Sequence, residues 1–431
     1  MSGISLLMFK KPFVKKAPPR GDAADLHVEP SKLLVPWDLY PRHVLQQNLG
    51  QAPKTSGPHI HPHPYHPPVL ASERLFLWVS PASITKYQHL ANKFSPSQLL
   101  TYDNALCTSL AIGTRQLYGS ALIDWIQWCD SSNIPECRCL PISSEDLRMF
   151  IAHKVGVEGA SKTTNTLASL RMWHIIQDVH WPDDPVLTNL RRAAASHAPP
   201  ATHRPPRPPV TIAHLAALCQ HLNLLDSPCD IAIFACACTA FWGVNRLGEL
   251  ICPISDREPS HRVRRSCNMS YAPMDPTRSY PPSLDFHIPW TKSTKSSGAN
   301  VHLSDWDDKG QDTSAIKALA WHLWFSAHLP DSAPLFAYSS SPDYTPLTRS
   351  TFLKRCKTVW SISGLGDCSG HSFRIGGTTE LLKRGVSHDV VKIQGRWASD
   401  AWQLYIRHHP EILELEYQKT RARVLSVYSD T

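Results

Sequence analysis

The sequence lacks any Cys-x-x-Cys pair, although it carries twelve cysteines in 431 residues. They fall as Cys137/Cys139, Cys236/Cys238 and singles without even spacing, which excludes a zinc ribbon and argues against a disulfide framework. Reduced thiols in an intracellular, reducing compartment are the expectation. Long apolar runs are also missing. MSGISLLMFKKPFVKKAPPR has no signal-peptide core, and the richest stretch, Ile231 to Val244, is about fourteen residues, too short for a bilayer. A buried helix and no membrane contact are expected. No internal repeat is apparent.

Proline, by contrast, is abundant, with 37 residues clustered in a few stretches, and the formal charge of +8 suits a polyanionic partner as well as many ordinary proteins. Residues 1–75 are rich in Pro, His and Lys without a period of two or 3.6, so a disordered tail is expected there, followed by an unassigned lead-in at 76–94. Lys10, Lys11, Lys15 and Lys16 read as a solvated tail, a nuclear-import patch or a DNA-touching arm. In PHIHPHPYHPP, His59, His61, His63 and His66 have the chemistry to bind a transition metal. Proline holds such a chain extended, so without a fold around them the rings do not converge, and no metal site is expected.

Residues 95–196 read as a helical domain. Thr114 can cap a helix carrying Tyr118, Ala121, Leu122, Trp125, Trp128 and Cys129 on one face. Ser143, with Asp146 three residues on, can cap a second that buries Leu147, Phe150 and Ile151. A third starts near Ser161, where Lys162, Thr163, Thr164 and Asn165 form either a phosphate-binding first turn or a plain solvated one. HAPPATHRPPRPP then resists helix, giving a Pro/Arg linker at 197–210 whose Arg204 and Arg207 can lie along a nucleic-acid backbone. Residues 211–431 read as a second, mostly helical domain with one β-hairpin, in which Leu284, Phe286 and Ile288 alternate before a Ser-Ser-Gly-Ala turn and Val301 and Leu303 come after it. The fold class is therefore mainly α, in two domains, with a small β-hairpin or sheet. Trp173, Trp321 and Trp324 are expected to fill cores.

The chemistry is concentrated in HSFRIGGTTELLKRGVSHDVVKIQGRWASDAWQLYIR. His371 and Arg374, three apart on a helix, project from one face. A helix, VSHDVVKIQ, comes next, then the turn Gly395-Arg396-Trp397, then a short helix starting near Ser399 with Tyr405 ten residues past the glycine. This segment resembles the C-terminal motif of the tyrosine recombinases, the family of Cre, Xer and lambda integrase, and its Gly-Arg-Trp turn reads closest to Crypton- and DIRS-like mobile-element relatives. The family places a further arginine upstream as Arg-x-x-Glu, which TAFWGVNRLGELICP supplies as Arg246 and Glu249, and a lysine on the intervening hairpin, matched by Lys292 with Lys295 as the alternative.

By that resemblance the catalytic set is Arg246, Lys292, His371, Arg374, Trp397 and Tyr405. The family's sixth residue stands nine before the tyrosine, where this chain has Arg396, with Trp397 one later; both stay open. Two guanidiniums would hold the non-bridging oxygens of a phosphodiester by paired, charge-assisted hydrogen bonds. Tyr405 would attack phosphorus to leave a 3′-phosphotyrosyl link, His371 would exchange the phenolic proton and Lys292 would protonate the departing 5′ oxygen. Glu249 is read as orienting Arg246 or capping amides. Ile412, Leu415 and Leu425 would pack in cis or on a neighbouring subunit. The resemblance further implies a core-binding domain and a catalytic domain closing as a clamp on double-stranded DNA, a homotetramer on synapsed DNA, and neither cofactor, metal nor small-molecule substrate. Two alternatives are a catalytically silent DNA-binding relative and a type IB topoisomerase-like relaxing enzyme. A mobile-element origin and nuclear residence complete the expectations.

Overall fold

The computed structural model describes residues 63–421 except 64, 68, 204, 252–260, 275–279, 307–311, 406–409, 415–416 and 419. The basic patch Lys10 to Lys16, His59, His61, Arg204, Leu415 and Leu425 lie outside the described residues. The chain is mainly helical and divides into two compact units at Arg204/Pro205.

The folded part of the first unit starts earlier than expected. His66, Leu75, Phe76, Trp78 and Val79 are buried, because the apolar run from Leu75 to Val79 supplies the burial that the Pro/His segment before it cannot. His66, Ser72 and Leu75 are therefore part of the packed unit, where a tail was expected. Two capped helices occupy the lead-in and the start of the expected helical domain. In α1 (Pro81–Lys93), Ser80 and Ser83 form a reciprocal cap, and in α2 (Pro96–Ser109) Ser95 and Gln98 do the same, each with proline in the first turn. Helix α3 (Ile112–Ser131) begins two residues before the predicted cap: Ala111 is the N-cap, and Thr114 sits inside the turn with its N–H donated to the Ala111 carbonyl at 2.9 Å. Its predicted face holds, with Leu122, Trp125 and Cys129 buried. Ser143 caps α4 (Ser144–Lys154) by accepting from the Asp146 N–H, and α4 buries Leu147, Phe150 and Ile151 as expected. Helices α5 (Ala160–Ile176) and α6 (Val186–Ser196) complete the unit, with Trp173 of α5 in its core.

The histidines diverge from expectation in a specific way. The His66 N–H donates to the His63 carbonyl at 2.9 Å, which reverses the chain, and both rings face the Glu136 carboxylate. The extended backbone foreseen for a proline-rich segment gives way here because the folded unit gathers it.

In the second unit the central element is α8 (Pro228–Trp242), buried at every residue from Asp230 to Trp242; α7 (Ile212–His221) precedes it, capped by Thr211. The predicted apolar run is thus a buried helix, and among the described residues no helix is long and apolar enough to cross a membrane. Strands β1 (Met269–Tyr271), β2 (Ser283–Ile288) and β3 (Ala299–Ser304) form an antiparallel sheet in that order. The predicted hairpin is β2–β3, with Leu284 opposite Leu303 and Phe286 opposite Val301, all four buried. Strand β1 escaped prediction because three residues without alternating burial carry no period. Helices α9 (Ala315–Phe325), α10 (Arg349–Ile362), α11 (Gly370–Lys383) and α12 (His388–Gln394) come next, then a 3-10 turn at Asp400–Tyr405. On α9, Trp321 and Trp324 are not core residues: they are 39% and 68% exposed and stack on each other at 4.9 Å.

Helix α11 packs closely against α8 and the chain at Val210 because two of its residues have no side chain. A Cβ at Gly377 would collide with the Phe241 carbonyl, and one at Gly376 with the Val210 carbonyl. That close approach brings Arg374, within one turn before the two glycines, to the C-terminal end of α8. The eleven described cysteines are all free thiols, and burial pushes Cys236, Cys238 and Cys356 well above the usual thiol range.

Candidate active site

Arg374 is 1% exposed, an unusual position for a guanidinium that pairs with no carboxylate among the described residues. Its Nη1 donates to the Val244 carbonyl at 3.0 Å and its Nη2 to the Gly395 carbonyl. Both acceptors sit beside left-handed backbone: Val244 has φ 49° and Arg396, just after Gly395, has φ 55°. A β-branched residue there is strained by roughly 1–3 kcal/mol, which local structure alone would relax. The indole of Trp397 covers the guanidinium face, with its centroid 4.1 Å from Cζ. Gly395 makes this possible, since a Cβ there would occupy the space of the Trp397 ring. Burial, reinforced by Arg246 and Arg396, lowers the Arg374 pKa to about 9, still high enough to keep it charged at neutral pH.

Arg246 caps the short helix Leu247–Leu250. Its N–H donates to Glu249 Oε2 at 3.0 Å and its Nη1 to Oε1 at 2.8 Å, so Glu249 both caps and orients it. The same carboxylate takes Arg396 Nη2 at 2.9 Å, and Arg396 also donates to Asn245 Oδ1 at 2.8 Å. Arg396 is thereby tied down within the protein, whereas Trp397 faces Arg374 and stands 6.0 Å, ring to ring, from Tyr405. Of the two candidates for the sixth position, Arg396 is bonded to Glu249 and Asn245, and Trp397 lies over the Arg374 guanidinium.

Tyr405 Oη and His371 Nε2 are 2.9 Å apart. His371 lies in the first turn of α11, and burial, together with Arg207, Arg374 and Arg246, holds its pKa below the usual imidazole value. That shift favours the neutral imidazole, which shares a hydrogen bond with the Tyr405 hydroxyl. Burial raises the Tyr405 pKa, and the charges of Arg374, Arg246 and Arg207 oppose the rise. Arg246 and Arg396 share the Glu249 carboxylate, and Arg374 beside them pairs with no carboxylate among the described residues. Such an excess of positive charge suits an anion.

Arg207 reaches this site by a route that the sequence did not suggest. It lines, with Pro206, Pro208, Pro209, Ile375 and Leu404, the open cleft onto which Tyr405 faces, and its charge bears on both Tyr405 and His371. Lys292 lies on the exposed connection between β2 and β3, and among the described residues no hydrogen bond or ion pair joins it to the arginines, His371 or Tyr405. Lys295 on the same loop has φ 53° and rests its ammonium 5.7 Å over the Trp290 ring.

In the first unit, Thr163 is 1% exposed, so its hydroxyl does not meet a phosphate as expected: the helix turns it inward. Lys162 is engaged by Glu158 at 2.8 Å and Asp124 at 3.0 Å, and Thr164 is exposed. Asn245, fully buried, is a site residue that sequence reading missed; the signal was a lone amide ending the apolar run of α8. Ile412 packs into the second unit's own core, and Lys383 pairs with the neighbouring Glu411 at 2.8 Å.

No family profile matches the sequence, and no curated protein matches it. Solved structures do. XerH site-specific recombinase bound to difH substrate in a pre-cleavage complex is similar at 12% identity over 80% of this chain and 96% of that one, with a TM-score of 0.45. A lambda integrase dimer bound to a COC′ core site is similar at 15% identity over 72% and 94%, TM-score 0.44. The Tn1549 transposon integrase in complex with transposon right end DNA is similar at 13% identity over 78% and 97%, TM-score 0.41.

Proposed function

We propose that this protein cuts and rejoins DNA strands through a covalent phosphotyrosyl intermediate, as a recombinase or integrase. The observation that carries the reading is the 2.9 Å contact of Tyr405 with His371, set beside two guanidiniums, Arg374 and Arg246, whose charge acts on that phenol. A nucleophile, a base and an anion clamp are the parts that phosphoryl transfer to a side chain requires.

In this reading the phosphodiester seats between Arg246 and Arg374, which neutralise charge as it builds on the non-bridging oxygens. The Tyr405 oxygen forms a bond to phosphorus while the bond to the 5′ oxygen breaks, and the phenolic proton passes to His371. Lys292, on its loop, would protonate the departing 5′ oxygen. The phosphotyrosyl link keeps the energy of the broken bond, so attack by a 5′ hydroxyl reseals DNA without a nucleotide cofactor. Arg207 and Thr164 would contact the backbone of duplex DNA. Recombination between two sites, rather than strand relaxation, would need four protomers on synapsed DNA, and a mobile element is the natural setting for it.

The test is incubation of the full chain with a nicked suicide duplex, followed by denaturing electrophoresis. Wild type should yield a covalent protein–DNA band and Tyr405→Phe none, with duplex binding within about two-fold. Equal adduct from that variant would remove Tyr405 from the chemistry, and no adduct from wild type despite binding would identify a silent DNA-binding protein. Plasmid relaxation without two-site recombination would assign the chain to strand relaxation.

A further inference from the structure

We propose that His63, His66 and Glu136 form a binding site for one divalent metal ion of the zinc class, which pins the His63–His66 turn to the core of the first unit. One nitrogen from each imidazole and one carboxylate oxygen lie within 4.8 Å of one another. Ligands bound at about 2.0–2.2 Å in a tetrahedron stand roughly 3.3–3.6 Å apart, and the His66 Nδ1 to Glu136 Oε2 distance is already 3.4 Å. His63 Nδ1 is 3.9 Å from Glu136 Oε1, so small rotations close the set. His63 Nδ1 now accepts from the Tyr65 N–H at 3.3 Å, a long bond that a metal there would replace.

The site is built by the fold and is not a loose run of histidines. The His63–His66 turn is held by its own backbone bond, by the Val79 N–H on the Tyr65 carbonyl at 3.0 Å, and by Trp78 Nε1 on the Pro67 carbonyl at 3.0 Å. The His66 ring packs edge-on against Trp78 at 5.2 Å, and Trp78 is itself bonded by the core residue Trp173. Glu136 enters from the opposite side, in the first turn of Glu136–Cys139. His66 and Glu136 are 3% and 7% exposed, whereas the His63 side chain is 35% accessible, which leaves one open side where water or a further ligand completes the coordination.

The donor set decides the metal class. Two imidazoles and one carboxylate favour zinc, cobalt or nickel, whereas magnesium and calcium take oxygen ligands. None of the three residues takes part in the phosphoryl-transfer reading, which concerns the other unit. Coordination would join a segment that precedes the unit's first helix to one that lies beyond α3, so metal binding and folding of this unit are coupled.

The full chain, stripped with a chelator and dialysed, is titrated with zinc ion against a chromogenic competitor and, separately, with cobalt ion by visible absorption. One equivalent of zinc per chain, a four-coordinate cobalt spectrum and a zinc-dependent rise in melting temperature are expected. Glu136→Gln and His66→Gln should each weaken binding by more than about ten-fold and lose the zinc-dependent rise. His59→Ala/His61→Ala should keep both. If His66→Gln does not fold, His63→Gln, at the accessible side of the site, takes its place. Binding below one equivalent, or zinc held equally by folded Glu136→Gln and histidine variants, overturns the site and leaves a histidine–glutamate ion pair only. Adduct formation on nicked DNA is read independently, so failure of one proposal does not touch the other.

Discussion

The Glu249 carboxylate meets the Arg396 guanidinium at 2.9 Å across 147 residues of chain, while its other oxygen holds Arg246. One acid thus orients two arginines, and through Arg396 it fixes the turn whose carbonyl and indole enclose Arg374. Arg374 itself is held by carbonyls and a ring, with no anion of its own among the described residues.

Glu249→Gln should therefore harm both stability and cleavage. The amide keeps one acceptor but leaves Arg246 and Arg396 without a counter-charge, at a cost of about 3–5 kcal/mol for a broken buried pair. Urea unfolding measures the first effect and adduct formation the second. Unchanged values for both would show that the carboxylate is not what orders the turn.

Arg374→Lys should reduce cleavage by about 10²–10³-fold, the usual loss when one fixed donor to a developing oxyanion is removed. An ammonium cannot reach Val244 and Gly395 together, nor present a flat face to Trp397. Trp397→Ala should act in the same direction but more weakly, by about thirty-fold, the equivalent of a desolvated cation–π contact. Wild-type rates in Trp397→Ala would return the sixth position to Arg396.

Cleavage should depend on pH through His371. Its pKa is held below 6.5, so the imidazole accepts the phenolic proton at neutral pH and fails once protonated. The single-turnover rate should be flat around pH 7 and fall at acid pH, with a midpoint under 6.5. His371→Gln should be slow and lack that limb. A midpoint above 6.5 would contradict the electrostatics of the cluster.

Folding stability has its own acid dependence. His174 and His322 are buried and neutral, with pKa lowered to about 4 in each case, chiefly by burial. His174 Nε2 accepts the Ile142 N–H at 3.0 Å, a bond that protonation destroys. A histidine depressed on folding contributes stability above its unfolded value of 6.5, and that contribution is lost as pH falls through the folded value. Denaturant midpoints should thus decline from pH 6.5 towards 4, by up to roughly 3 kcal/mol per histidine. Stability that rises over that interval would sink the assignment.

Much of the local structure was legible because it rests on neighbours in sequence. Ser143 with Asp146 capped the helix that it was expected to cap, Leu284, Phe286 and Ile288 alternated as a half-buried strand does, and the run from Ile231 became a buried helix. Thr114 failed as a cap because the helix begins two residues before it, with Ala111 as the N-cap. Strand β1 and the entry run at Leu75 were missed because short segments are decided by what they pack against. Trp321 and Trp324, read as core, stack in solvent, since residue type records a preference for burial and not its occurrence.

The sequence by itself determined which reactive side chains are available: an arginine pair, a histidine and a tyrosine with fixed spacings along three segments. Only the tertiary structure decided how they meet. Arg396 turned inward to Glu249 and Asn245 while its neighbour Trp397 took the face of Arg374, because a left-handed backbone at Arg396 points successive side chains in different directions. Arg207 was placed beside Tyr405, and Thr163 was turned into the core. Such choices depend on contacts between residues far apart in the chain, whose energies no local spacing encodes.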